Sequence, residues 1–426
     1  MTIVVAAYAL LLAYPSELVL VGPLRSNGGP VRLLGLLAAF LLVAAAIRVR
    51  HRLTARPVAG VLFAYLAWSV FAWGVAHRRP LTGGASAYTD RTLLAMVSAM
   101  GIALLCTCLV HTVRQAHLLV GCLVGGACVS AVAGILQFAG LIGPWADVIA
   151  LPFNTTVVSP GSVSAREGLA RVSGAAAHPI EYAVVLAMVL PVAVHLAVHA
   201  ASRTGRRWAA AACVVILIGF PLGLSRSGLL AVVVCLVIYS GFLPRLQRAV
   251  LLGGAFLTVA LAAVLTPQVT TVFTTLITGA GEDNSVTGRL DDYPRAVAQW
   301  AASPWLGGAP ADITVRSSVL DNQWLATLVA TGVVGALALA VLLLGPVILA
   351  RRVTREAAAG SAGRSLAGAL AAPLVAAALA AGTFDLLAFQ QVTFLLIFLA
   401  ALIGVRDDTQ YRCGRSGRNG ACAALT

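Results

Sequence analysis

Residues 219–242 read GFPLGLSRSGLLAVVVCLVIYSGF, and the fold turns on how that stretch is divided. Between Trp208 and Phe242 the one charged side chain is Arg226. A guanidinium at the centre of a membrane helix costs roughly 2.5–3.5 kcal/mol even on a forgiving insertion scale. Residues 208–242 number roughly 35, too many for one span of about 20 and suited to two helices joined by a tight turn. Leu224-Ser225-Arg226-Ser227-Gly228 falls near the midpoint. Gly223 and Gly228 permit the turn, and Ser225 or Ser227 caps the second helix. Arg226 then lies at a helix N-terminus beside backbone N–H groups that favour an anion. The alternative is an interfacial arginine whose head reaches for lipid headgroups.

The whole chain is of this kind. Of 426 residues, 60% are hydrophobic and only 10% charged, against about 25% charged in soluble domains. The expectation is an all-α polytopic membrane protein. Apolar runs predict about twelve spans, near 2–21, 31–47, 57–76, 92–110, 118–141, 179–200, 208–224, 228–243, 249–265, 321–350, 365–382 and 389–405. The first run lacks a basic n-region and a small-residue cleavage site, so it reads as a retained span. Eight cysteines, six of them in apolar runs, suggest no disulfide framework, and no Cys/His group has zinc-ligand spacing.

Every basic residue is arginine, which reports a GC-rich bacterial genome. Alternate connections are arginine-rich: Arg48 to Arg56, Arg114, Arg203 to Arg207, Arg245 and Arg248, Arg351 to Arg364, and Arg406 to Arg418. By the positive-inside rule these ends, and both termini, are cytoplasmic. Only Glu356, Asp407 and Asp408 among the acidic residues share that side. The formal charge of +14 therefore orients the chain in a bacterial inner membrane. It implies anionic lipid as a partner and argues against nucleic acid.

Two extracytoplasmic segments are long, about 142–178 and 266–320, and long loops on one face of a bundle carry function more often than short ones do. In the second, Pro294 suits the first position of a short helix running through Trp300. Tyr293, Val297 and Trp300 would share its membrane-facing side, with Arg289 just before it. Asp321, Asn322 and Gln323 open the next span, where Asp321 suits an N-cap. In the first segment Arg166, Glu167 and Arg171 lead to His178-Pro179 and Glu181-Tyr182. A carboxylate one turn inside an apolar helix calls for a cation, and the outer arginines are the candidates for Glu181. Asp385, in GTFDLLAFQQ, has no evident partner in the sequence.

Four of these stretches together resemble the superfamily of O-antigen ligases and O-antigen or exopolysaccharide polymerases. They are Arg171-Val172-Ser173-Gly174 with His178-Pro179, Ser225-Arg226-Ser227-Gly228, Arg289-Leu290 through Gly308, and Asp321-Asn322-Gln323-Trp324-Leu325 through Gly332. The resemblance covers about 165–345. It implies a GT-C-type glycosyltransferase that takes a glycan from a polyprenyl diphosphate on the outer leaflet and gives it to a glycan or another envelope acceptor. On that reading Arg226 and Arg289 hold the diphosphate, with Arg171 as a third, since arginine makes bidentate phosphate contacts. Asp321 is the base; His178, Glu181, Arg295, Arg316 and Asn322 line the substrate site. No cofactor or metal is implied, the arginines standing in for a divalent cation. Ligases acting on lipid A core resemble one another in a histidine at the position of Asp321, so the aspartate favours a polymerase. The implied organisation is a five-span region over 1–141, a catalytic core over 142–405 and a basic cytoplasmic tail over 406–426. A transporter would carry charges near the midplane of several spans and repeated halves, and neither pattern is evident.

Overall fold

Long runs of Ala, Leu and Val without interior charge leave the backbone no partner but itself, and in lipid that selects helix. The structure, a computed structural model, describes residues 1–20, 24, 27–48, 55–78, 83–150, 156–157, 165–166, 169–265, 271, 274, 284–308, 320–358 and 360–406. Its helices are α1 (Thr2–Ala13), α2 (Pro30–Arg48), α3 (Val58–Ala76), α4 (Gly83–Leu109), α5 (Val113–Phe138), α6 (Trp145–Ala150), α7 (Pro179–His199), α8 (Arg203–Gly219), α9 (Arg226–Ser240), α10 (Arg245–Leu265), α11 (Asn284–Ala301), α12 (Gln323–Glu356), α13 (Ala362–Ala380) and α14 (Gln390–Ala401).

A helix stands at each stretch read as a span, but among the described residues only eight are long and apolar enough to cross a membrane. The shortfall comes partly from α1, α9 and α14, which are apolar but shorter. The 15 residues of α9 rise about 22 Å at 1.5 Å each, against a hydrocarbon core of about 30 Å. The multiplicity of apolar helices is that of an integral membrane protein.

At the centre lie α7, α13 and α14. Almost every residue from Pro179 to Leu196 is buried, and in α14 every residue from Gln391 to Ala401 is. The outward surface is apolar too, with Phe40, Ile47, Phe63, Leu246 and Phe256 each more than 60% exposed. A helix bundle greasy on both sides is stable only where its solvent is lipid. Two short antiparallel pairs flank the bundle, β1 (Leu18–Val19) with β2 (Thr156–Val157) and β3 (Ala165–Arg166) with β4 (Leu169–Ala170).

The second long segment departs from expectation. Its helix α11 begins at Asn284, ten residues before Pro294, which lies inside it. The buried face carries Ala296 and Trp300 and packs on Leu325, Ala326 and Val329 of α12, while Tyr293 and Val297 stay exposed. Beyond it the chain turns back onto a break in α12. Gly332 is non-helical, with φ +67° and ψ −168°. The 304–308 loop meets the opened backbone there, Val333 N donating to Pro304 O at 2.9 Å and Gly308 N to Val329 O at 3.0 Å. Gly307 also has positive φ, +73°. A side chain at Gly307 would strike the Ala330 and Thr331 backbone, and one at Gly332 the Trp305 backbone. The two motif glycines are therefore one joint, needed for left-handed φ and for close approach of two backbones.

Candidate functional site

The 208–242 stretch does form two helices with Arg226 at the turn, but the turn works differently from its sequence reading. A 3-10 turn over Phe220–Gly223 ends at Leu224, whose φ of 44° puts a fully buried leucine in the left-handed region. Such a conformation costs on the order of 1–3 kcal/mol and persists only where packing enforces it. Gly223 and Gly228 are not the left-handed residues. They let α7 come close: a Cβ on Gly223 would lie 2.8 Å from Pro179 O, and one on Gly228 2.5 Å from Ala183 Cβ. Ser225 caps α9, its hydroxyl accepting from Gly228 N at 3.2 Å, which leaves Arg226 as the first helical residue. Arg171 lies along the other side of the turn, its Nε donating to Gly223 O at 3.2 Å, with Val172 N on Leu222 O at 3.3 Å.

Ser227 joins this turn to a loop between α13 and α14. Its hydroxyl hydrogen-bonds Thr383 Oγ1 at 2.8 Å, two residues before Asp385. The same loop is tied to the start of α12, where Gln323 N donates to Ala381 O at 2.7 Å and to Phe384 O at 3.2 Å. Asn322, not Asp321, caps that helix, its side chain accepting from Trp324 N at 3.0 Å and Leu325 N at 3.2 Å. Asp321 is exposed and lies within electrostatic reach of Asp385. Asp385 thus has the neighbour that the sequence hid. Burial chiefly, and the like charge of Asp321 next, push its carboxyl up to about 6, against a smaller lowering by the Ala388 N–H. Tyr88 of α4 is also within reach of Asp385.

His178 caps α7, its Nδ1 accepting from Ile180 N at 3.1 Å. That role needs an unprotonated Nδ1, and burial together with the Arg171 charge holds the imidazole below its usual pKa. Its ring packs on Phe389, centroids 5.5 Å apart. Glu181 is wholly buried, and the partners that satisfy its carboxylate are amides. Oε2 accepts from Ala177 N at 3.0 Å, Oε1 from Gln391 N at 2.5 Å, and Val392 N adds a third donor. Of the outer arginines expected to pair with it, Arg32 is within electrostatic reach. Two helix N-termini, those of α7 and α14, converge on this carboxylate, which is how an apolar interior tolerates it.

Arg171, Arg226, His178, Glu181, Asp321, Asn322 and Asp385 therefore gather at one end of the bundle. Arg295 is exposed on α11, which also carries Arg289; the Arg289 side chain and all of Arg316 lie outside the described residues. Sequence reading passed over Thr383 and Gln391 and gave Gln323 no role. A Gln-Gln pair opening an otherwise apolar helix was the available signal. Among the described residues no group of three or more His, Cys, Asp or Glu has the arrangement of a metal site, and the six described cysteines are free.

The apolar helical bundle defines an integral membrane protein with polar residues clustered at one end of its helices. Residues 211–340 match the family model described as O-Antigen ligase, which supports the likeness of this part of the chain to the O-antigen ligase superfamily. The family implies a glycosyltransferase-like enzyme of ligase or polymerase type, with a lipid-linked glycan and an acceptor as substrates. The matched segment includes Arg226, Arg289, Arg295, Arg316, Asp321 and Asn322, while Arg171, His178, Glu181 and Asp385 lie outside it. No curated protein matches the chain.

Proposed function

We propose that the chain is a GT-C-type transferase that moves a glycan from a polyprenyl diphosphate to an acceptor hydroxyl at the extracytoplasmic face of a bacterial inner membrane. The observation that carries this reading is the Ser227–Thr383 hydrogen bond, which sets the Arg226 turn against the Asp385 loop. A donor diphosphate lies against Arg226 and the first-turn amides of α9, with Arg171 and Arg289 as further cations. Arginine suits that anion because its planar fork makes paired contacts. The acceptor oxygen attacks the anomeric carbon while the bond to the diphosphate breaks. The bonding pair leaves on the diphosphate oxygen, where fixed cations stabilise the developing charge. The acceptor proton passes to the Asp321–Asp385 pair, with Asp385 as the base because a carboxyl near 6 is matched to neutral pH. His178, Asn322 and Arg295 border the substrate site.

Aspartate rather than histidine at 321 supports polymerisation of repeat units. Transfer to a different envelope acceptor is the second reading, supported by the match to the ligase model. Full-length protein in nanodiscs, given a polyprenyl-diphosphate oligosaccharide, tests both. Release of polyprenyl diphosphate with lengthening product supports the polymerase, and release only on adding a distinct acceptor supports the ligase. Transbilayer movement of the lipid without release refutes both.

A further inference from the structure

The loop that carries Asp385 has few means of its own to hold a shape. Its short 3-10 turn, Leu386–Ala388, has no side-chain cap, and Phe389, the N-cap residue of α14, offers none either. Orphan amides at such ends need acceptors. Two buried side chains from other helices supply them. Gln323 of α12, 5% exposed, accepts from Leu387 N through Oε1 at 2.6 Å, and its Nε2 is anchored on Thr327 Oγ1 at 2.9 Å. Glu181 of α7 accepts from Gln391 N at 2.5 Å while its other oxygen holds Ala177 N at 3.0 Å. The Gln391 side chain closes the frame from the loop's own side, its Nε2 donating to Ala175 O at 2.8 Å.

We infer that Gln323 and Glu181 are positioning residues, a pair of buried acceptors that pin residues 385–391 from two sides and so set Asp385 against Asp321 and the Arg226 turn. The inference rests on the reading that Asp385 takes the acceptor proton. It moves Glu181 from a substrate contact to a support, because its two oxygens are occupied by amides of the protein. The frame also joins the Arg171–His178 segment, through Ala177, to the base-bearing loop, so donor and acceptor sides share one fixture. Active-site side chains hold productive geometry only when such partners lock them.

The test uses the full chain in nanodiscs, with Gln323→Leu, Glu181→Ala and Glu181→Gln. The last keeps one acceptor oxygen but sets an amide NH₂ against a backbone donor. Hydrogen–deuterium exchange over 385–392 reads the pinning directly, and polyprenyl diphosphate release from pH 5 to 8 reads its consequence. Gln323→Leu and Glu181→Ala are expected to lose at least tenfold protection across the loop and at least tenfold in kcat. Donor KM stays within about threefold, and the acidic limb of the rate profile shifts, since the Asp385 environment has changed. Glu181→Gln falls between them and the parent. Rates normalised to folded protein, by monodispersity and melting midpoint, separate this from poor folding. Unchanged loop protection, or lost protection with parental rate and pH limb, overturns the inference. A parent protein that releases no polyprenyl diphosphate would refute the proposed function instead, and the exchange measurement would still decide whether the loop is pinned.

Discussion

Arg226 and Arg56 both sit where a helix ends, and their surroundings are opposite. Arg56, 6% exposed, lies at the end of the bundle away from the Asp385 loop. It donates to Ile403 O at 2.7 Å and Cys106 O at 3.3 Å, carbonyls at or just beyond the C-terminal ends of α14 and α4. Helix C-termini offer unpaired acceptors and a negative dipole end, so the backbone stabilises a buried guanidinium there, with the Cys106 sulfur 4.0 Å from it as a weak further acceptor. Arg226 is at the N-terminus of α9, where the backbone offers donors and a positive dipole end. A positive dipole end disfavours its charge. A helix N-terminus favours an anion, which suits the role proposed for Arg226, whereas Arg56 is explained by the fold it helps to close.

The contrast breaks if the two arginines respond alike to substitution. Arg226→Lys is expected to cut polyprenyl diphosphate release on the order of 10²-fold with an unchanged melting midpoint, because a point charge cannot replace the fork. Arg56→Lys should instead leave the rate per folded molecule within about twofold and lower the melting midpoint. Buried carbonyls left unsatisfied cost about 1–3 kcal/mol. Asp385→Asn should also lower the rate, by on the order of 10²-fold, the size of a general-base contribution. In the parent, turnover should rise with pH through about 6 as Asp385 deprotonates. Asp321→Asn removes a like charge, so the Asp385 carboxyl ionises more easily and that limb moves to lower pH. A limb that stays put would detach Asp321 from the pair.

Smaller effects sharpen the picture of the loop end. Gly332→Ala forces a side chain into left-handed φ against the Trp305 backbone. It should destabilise by on the order of 1–3 kcal/mol in a chemical-denaturation series. Asn322→Ala removes the cap of α12 and should cost about 1 kcal/mol, while Asp321→Asn, at the uncapped position, should cost almost none.

Much of the fold was legible because its determinants are local. Span positions follow from apolar runs, and the 208–242 hairpin follows from length plus one misplaced arginine. Boundaries were less legible. α11 runs from Asn284 because residues before Pro294 continue the helix, a choice that propensity at one proline did not reveal. In the site, the N-cap assignment fell one residue out, since Asp321 and Asn322 are equally good caps and only backbone geometry selects between them. Asp385 stood alone in the sequence because its neighbours come from α4 and from the residues just before α12.

The sequence by itself determined the solvent, the helical class, the hairpin at Arg226 and the family likeness, all properties written in composition and short motifs. Tertiary structure alone decided that Glu181 is held by amides, that Gly307 and Gly332 form one joint, and that Asp385 shares a loop end with Asp321 and Arg226. Those relations join residues up to 210 positions apart. Hydropathy and spacing carry no record of such distances, because packing and hydrogen-bond satisfaction are settled only when the whole bundle closes.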